Sequence, residues 1–151
     1  MKLIIGLGNP GEKYKNNRHN VGYLVADSSK KVKVFKTNTF MNDSGSFVKH
    51  FISLYPNNPI SNLYIIHDDL DIKLGEYKIQ FGKGPKEHNG LNDIYNKLGT
   101  KDLWHIRIGV DNRDTMNRIS GEEYVLQDFT DQERIILEKV VKEICKKLET
   151  L

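Results

Sequence analysis

Lys2–Asp27 reads KLIIGLGNPGEKYKNNRHNVGYLVAD, and the way this stretch breaks decides the fold. Lys2–Leu7 is a short apolar run. It ends in Gly8-Asn9-Pro10-Gly11, passes Tyr14, and reaches Arg18-His19-Asn20 before apolar residues return at Val21, Leu24 and Val25. An apolar run closed by Gly/Asn/Pro punctuation reads as a buried strand feeding a loop, and the returning spacing reads as a helix to about Ser29. In an open α/β sheet, ligands bind in the crevice beyond the C-terminal ends of the strands. His19 therefore stands at the edge where function is expected.

The same alternation continues along the chain. Val32, Val34 and Phe35 suggest a strand ending near Lys36. Ser44-Gly45 opens a helix whose apolar face is Phe47, Val48, Phe51, Ile52 and Tyr55, with Asn42 or Ser44 as its cap. Pro56–Pro59 ends it. Leu63–Ile66 is a second apolar strand, running into His67-Asp68-Asp69-Leu70-Asp71. Ile72–Phe81 alternates loosely and reads as one half-exposed strand. Gly82–Glu87 is a loop, His88-Asn89-Gly90 starts a helix through Leu98, and Trp104–Val110 alternates as a strand. Asp111–Glu123 is polar and reads as a surface loop, the element expected to be mobile. Asp131–Leu148 is a long amphipathic helix with Leu137, Val141, Ile144, Cys145 and Leu148 on one face. Strands alternating with helices imply an α/β fold: a single twisted, mostly parallel (mixed) sheet with helices on both faces, one domain over residues 1–151.

The 151 residues carry a net charge of +3, which is compatible with an anionic partner without requiring one. A single cysteine, Cys145, has no internal partner for a disulfide, which suits a reducing compartment. The apolar start is too short for a signal peptide and no stretch is long enough to span a bilayer, so a soluble cytoplasmic protein is expected.

Three chemistries are open to these residues. Gly6-Leu7-Gly8-Asn9-Pro10-Gly11 matches the G-x-G-x-x-G of dinucleotide folds. Pro10 removes a donor where phosphate needs one, however, and the strand through Lys36 ends without the acid that holds a ribose. His67, Asp68, Asp69 and Asp71 cluster, yet their spacing fits neither a zinc motif nor a calcium loop, and solvated loop acids are the plainer reading. The third is hydrolysis without a metal. His19 is a base that titrates near neutral pH. Asp68 can orient it, and the carboxamides of Asn9, Asn42 and Asn89 can donate to a carbonyl oxygen. No serine or cysteine sits in a nucleophile elbow, so activated water is the expected nucleophile.

At this point the residues resemble a family, the bacterial-type peptidyl-tRNA hydrolases. The resemblance rests on GLGNPGEKYKNNRHNVG (Gly6–Gly22), TFMNDSG (Thr39–Gly45), HDDLDIKLG (His67–Gly75), EHNGLNDI (Glu87–Ile94) and RIG (Arg107–Gly109), in the family's order. It implies a monomeric, metal-free and cofactor-free esterase that releases peptide from the 3′ ribose of tRNA. By motif, His19 is the base and Asp68 its partner, while Asn9 and Asn89 position water and the carbonyl. Met41 and Asn42 line the peptide groove, and Tyr14 stands at the tRNA end. Lys78, Lys83, Lys86, Arg107, Arg113 and Arg118 are expected to hold acceptor-stem phosphates by charge. His88 is expected to be structural or to hydrogen-bond beside the site. His67 is expected to be structural, and His50 and His105 ordinary surface or strand residues.

The sequence departs from the family pattern in places. The Gly82–Glu87 loop has fewer glycines, Gln80 replaces a basic residue, RIGVDNR lacks a Gly-x-Pro continuation, and the segment between Ser29 and Thr39 is short. A smaller edge of the sheet and weaker tRNA contact are the expected consequences. The alternative from another functional class is a non-catalytic RNA-binding protein that retains the hydrolase fold. A small dinucleotide-binding protein using Gly6–Gly11 is the third.

Overall fold

The computed structural model describes residues 1–116 and 118–151. Five strands form one sheet: β1 (Leu3–Gly6), β2 (Phe35–Lys36), β3 (Leu63–Lys73), β4 (Tyr77–Phe81) and β5 (Trp104–Asp111). Their order is β2-β1-β3-β5-β4, parallel throughout except for antiparallel β4. The helices are α1 (Val21–Ser28), α2 (Ser44–Ser53), α3 (Asn89–Leu98), α4 (Gly121–Val125) and α5 (Asp131–Leu148). The expected mixed, mostly parallel sheet with helices on both faces is what forms.

Side-chain alternation explains the layering. Ile4 of β1, Ile66 of β3 and Ile106 and Ile108 of β5 pack with Val21 and Val25 of α1 and with Leu137, Val141 and Ile144 of α5. Their chain neighbours Leu3, Ile5, Leu63 and Ile65 pack on the other face with Val48 and Phe51 of α2 and Leu91 and Ile94 of α3. The central strands are thus buried on both sides, which is why they read as continuous apolar runs.

The acidic segment departs from expectation. His67–Asp71 is not a loop beyond the strand; β3 runs through it to Lys73. Strand β5 supplies the pairing, from Tyr64 opposite Trp104 to Asp69 opposite Gly109, with an irregularity before Lys73. Ile72 and Lys73 therefore close β3, Gly75 turns the chain at φ 98°, and the expected single strand Ile72–Phe81 is two. The edge strand β2 is only two residues, Phe35 and Lys36, against Ile5 and Gly6, matching the short segment before it.

Caps also differ from expectation. Neither Asn42 nor Ser44 caps α2 by its side chain. The Ser44 hydroxyl donates instead to the Met41 carbonyl at 2.7 Å, and the Gly45 N–H is taken by Asp93 of α3 at 2.8 Å. The start of α2 is thus stitched to the middle of α3. Helix α5 has a full capping box between Thr130 and Glu133. The polar stretch expected as a loop to Glu123 gives way to α4 at Gly121. Before that helix, Asp111 accepts from Arg113 Nε and Arg118 Nη2, each at 2.8 Å. Asn117, within the stretch expected to be mobile, lies outside the described residues.

One close approach sets the angle of the helix that follows His19. A Cβ on Gly22 would lie 2.5 Å from the Ile66 carbonyl oxygen and 2.6 Å from the Leu7 backbone, and Gly6 packs on Gly22 in the same way. All of these neighbours are backbone and cannot swing aside. Gly22→Ala is expected to destabilise the fold by about 1–3 kcal/mol or more, the usual range for overpacking. A denaturant midpoint equal to the parent's would refute this.

Candidate active site

A cleft of about 930 Å³ opens beyond the C-terminal end of β1 and along the C-terminal half of β3. Its floor carries Asn9, His19, Asp68 and His88. Tyr14, Phe40, Met41 and Asn42 line one side, and Leu70, Val125 and Leu126 line another. Asn89, Lys86, Glu87 and Arg113 stand at its rim.

His19 lies in a 3-10 turn, Arg18–Asn20, that leads into α1. Its Nδ1 is 2.9 and 2.8 Å from the two Asp68 oxygens. Asp68 is 2% exposed and comes from the part of β3 that sequence reading took for loop. Burial would raise its carboxyl, but the charges and hydrogen bonds of His19 and His88 prevail and hold it far below the usual carboxylate range. The carboxylate is therefore ionised, so His19 Nδ1–H donates to it. That leaves Nε2 as the ring nitrogen free to take a proton. Burial lowers the basicity of His19, and the Asp68 charge and hydrogen bond outweigh it, so its pKa lies above 6.5.

His88 resembles His19 in position and differs in what its nitrogens do. Its Nδ1 accepts the Leu91 N–H at 3.2 Å and so caps α3. Its Nε2 must then carry the proton, which it donates to Asp68 at 2.9 Å. Both nitrogens are occupied, so His88 cannot serve as a base. It is a second clamp on Asp68. The same argument bears on metals. His19, Asp68 and His88 offer ligand atoms within 4.8 Å of one another. A cation on His88 Nε2 would force the proton onto Nδ1, against the Leu91 N–H. These three residues fit a hydrogen-bonded cluster around Asp68 better than a metal site.

Asn9 is held in one orientation. Its backbone N–H donates to Asn20 Oδ1 at 2.9 Å, and Asn20 Nδ2 returns a bond to the Asn9 carbonyl at 2.8 Å. The Asn9 side-chain oxygen accepts the Met41 N–H at 2.6 Å. The free group is therefore the Nδ2 amide, a fixed donor. Asn20 lies within the Gly6–Gly22 motif, and its reciprocal bonds to Asn9 have no local sequence signature. Met41 is buried and packs on Gly90, so it serves core and groove together. Asn42 and Asn89 are exposed and line the cleft, and Tyr14 meets Phe40 edge-on with ring centroids 6.2 Å apart. Phe40, 55% exposed, is a further wall residue that sequence reading passed over.

The expected cations divide. Lys78, Lys83 and Lys86 are exposed, and Lys86 lines the cleft while its backbone N–H binds Asp71 at 2.8 Å. Arg107 departs from the expected phosphate contact. It is 4% exposed, with Nε on Asp69 at 2.7 Å and Nη1 on Gln80 at 2.5 Å, so its guanidinium braces β3, β4 and β5 instead of facing a phosphate. Gln80 thus answers a buried cation rather than leaving a gap in a surface patch. Arg113 and Arg118 are tied to Asp111. His67 and His105 are both fully buried, and burial pushes them down, His105 to about 4 and His67 well below 6.5. His105 is therefore an interior residue of β5, bonded to the Tyr95 hydroxyl at 2.6 Å. Trp104 is half-buried, stacked on Tyr64.

The family model described as Peptidyl-tRNA hydrolase matches residues 3–31 and 28–151. The chain belongs to the peptidyl-tRNA hydrolase family. The peptidyl-tRNA hydrolase of Mycoplasmopsis synoviae (strain 53) is 37% identical over 163 residues, covering 95% of this chain and 85% of the relative. That of Aliarcobacter butzleri (strain RM4018) is 37% identical over 172 residues, covering 100% and 92%. The crystal structure of peptidyl-tRNA hydrolase from Acinetobacter baumannii superposes with a TM-score of 0.85 at 28% identity, covering 100% of this chain and 88% of that one. The family likeness therefore extends over the whole sheet and its helices as well as the motifs.

Proposed function

We propose that this chain hydrolyses the ester between a peptide and the 3′ ribose of tRNA, with His19 as base. The observation that carries the reading is the Asp68–His19 dyad beside the fixed Asn9 amide on the floor of the cleft. His19 Nε2 takes a proton from water, and the water oxygen attacks the ester carbonyl. The Asn9 Nδ2 amide donates to the oxygen on which charge develops, and one such donor is worth on the order of 10²- to 10³-fold. The bond to the ribose oxygen breaks, and His19 returns its proton to that oxygen. Asp68 holds the imidazole tautomer and stabilises the imidazolium between the two transfers. The charge that forms is balanced by protein groups alone, so the scheme runs without a cofactor or metal.

Phe40, Met41 and Asn42 form the wall for the peptide, Asn89 positions it from α3, and Tyr14 marks the tRNA side. Lys78, Lys83 and Lys86 are the cations offered to acceptor-stem phosphates. No helix among the described residues is long and apolar enough to cross a membrane. The reading is completed by a monomer acting in the cytoplasm, where peptidyl-tRNA is made, as one domain over residues 1–151.

The test is peptide release from a model peptidyl-tRNA as salt is raised. Three phosphate contacts predict a fall in kcat/KM on the order of ten- to fortyfold between about 50 and 200 mM salt. Release that is insensitive to salt would remove the lysine contacts. Binding of tRNA with no release at all would move the chain to the non-catalytic alternative.

A further inference from the structure

Arg18 precedes the base and is almost absent from solvent, at 4% exposed. A buried guanidinium needs a reason, because its donors are taken away from water; here Nη1 and Nη2 are bonded and Nε is left without a partner among the described residues. Its Nη2 meets Glu133 Oε1 at 2.7 Å, and Nη1 donates to the Tyr124 carbonyl at 3.1 Å. Its plane lies over the Tyr124 ring, 3.8 Å from the centroid. Glu133 in turn accepts from Asn112 Nδ2 at 3.0 Å and from the Thr130 N–H at 2.9 Å. The Tyr124 hydroxyl donates to the Val110 carbonyl at 3.2 Å and accepts the Asn112 N–H at 3.0 Å. One ion pair thus ties the turn before α1, the end of β5, α4 and the start of α5.

The backbone repeats the connection. The Arg18 N–H donates to the Gln127 carbonyl, and the Phe129 N–H to the Asn16 carbonyl, each at 3.1 Å. Asn17 and Asp128 form an isolated antiparallel bridge, with Asn17 Nδ2 on Asp128 at 2.7 Å. Residues 16–18 and 127–129 are laced together, and α4 is the piece between this lacing and the cleft. Gly121, Glu122 and Val125 of α4, with Leu126 just after it, line the cleft that also contains His19.

We propose that Arg18 is a positioning residue that sets the α4 wall of the cleft against the catalytic turn, and so governs substrate binding. His19 does not depend on it in the same way. The imidazole is gripped by Asp68 and the next residue by Asn9. The wall is tied to the turn that carries His19 from two sides: the lacing to residues 127–129 fixes its far end, and the Arg18 guanidinium reaches the α4 carbonyl at Tyr124. Removing the guanidinium should free the wall while leaving the base seated.

The inference rests on the hydrolase reading, so the parent must first release peptide from peptidyl-tRNA. Failure there sinks that reading before Arg18 is tested. Arg18→Met alone would strand Glu133 as a buried unpaired charge and confuse folding with function. The informative protein is the double variant Arg18→Met/Glu133→Gln, since glutamine removes the buried charge and still offers the α5 capping box its side-chain acceptor. Arg18→Lys serves as a companion, because lysine keeps the charge and loses the planar contact with Tyr124. The double variant is expected to raise KM about tenfold, with kcat within about threefold and the pH midpoint of kcat unmoved. That tenfold corresponds to about 1.4 kcal/mol of binding. Arg18→Lys should fall between parent and double variant in KM. An unchanged KM in a folded double variant overturns the proposal, and so does a loss confined to kcat or a displaced pH midpoint, each of which would place the effect on the base. Should the double variant fail to fold, the KM of Arg18→Lys decides: a parental value overturns the proposal.

Discussion

His19→Ala should lower kcat for peptide release by about 10²- to 10⁴-fold, the usual contribution of a positioned general base. KM should change little, because the peptide wall and the exposed lysines are untouched. The loss is unshared because no second group can take over. Among the described residues, His88 is the only other imidazole lining the cleft, and its two nitrogens are committed to the Leu91 N–H and to Asp68. Stopped assays on folded parent and variant, read at saturating substrate, measure the difference. A variant within threefold of the parent would show that the proton leaves by another route.

Asp68→Asn should be at least as damaging, for a different reason. The native carboxylate accepts from two imidazole N–H groups, and a carboxamide has only one oxygen to offer. Its amide N–H₂ would face one of those donors. His19 then gains by presenting a bare Nδ1 to that amide, which puts its proton on Nε2 and removes the base. Loss of an orienting aspartate in this way costs on the order of 10⁴-fold in serine hydrolases. The pH dependence should move with it. In the parent, burial opposes and Asp68 favours the charged imidazole, and the net pKa lies above 6.5. The neutral base therefore predominates only above that midpoint, and kcat/KM should rise with pH through it. In Asp68→Asn the two raising causes are gone and burial remains, so the midpoint of residual activity should fall below 6.5. A midpoint that stays in place would mean the titrating group is not His19.

The sequence was most informative where the chain is periodic. β1, the core of β3, β5, α3 and α5 follow from apolar spacing and from Gly or Pro punctuation. It was least informative where burial is decided by a partner far along the chain. His67–Asp71 reads as a solvated turn because four of its five side chains are polar. It is a strand because β5 lies beside it, and because His19, His88 and Arg107 supply counter-groups for its acids. Arg107 reads as a surface cation for the same reason, since no local pattern reveals Asp69 and Gln80 waiting for it. Of the site, His19, Asp68 and Asn9 were legible as chemistry at strand ends and helix starts. The tautomer logic of His88, the lock of Asn20 on Asn9 and the role of Arg18 were not, since each depends on a second residue's atom and not on its type.

The lacing of residues 16–18 to 127–129 also bears on how the molecule comes to exist. Arg18 and Glu133 are separated by 115 positions, and Asn17 and Asp128 by 111. Contacts of that span close late, because chain entropy must be surrendered before they contribute, and parallel sheets share the same delay. During synthesis the base emerges early, while the segment that frames its cleft emerges more than a hundred residues later. A half-made copy can therefore carry His19, Asn9 and Asp68 without an enclosed cleft around them. Enclosure of the cleft therefore waits on residues 127–133, which come more than a hundred positions after the base.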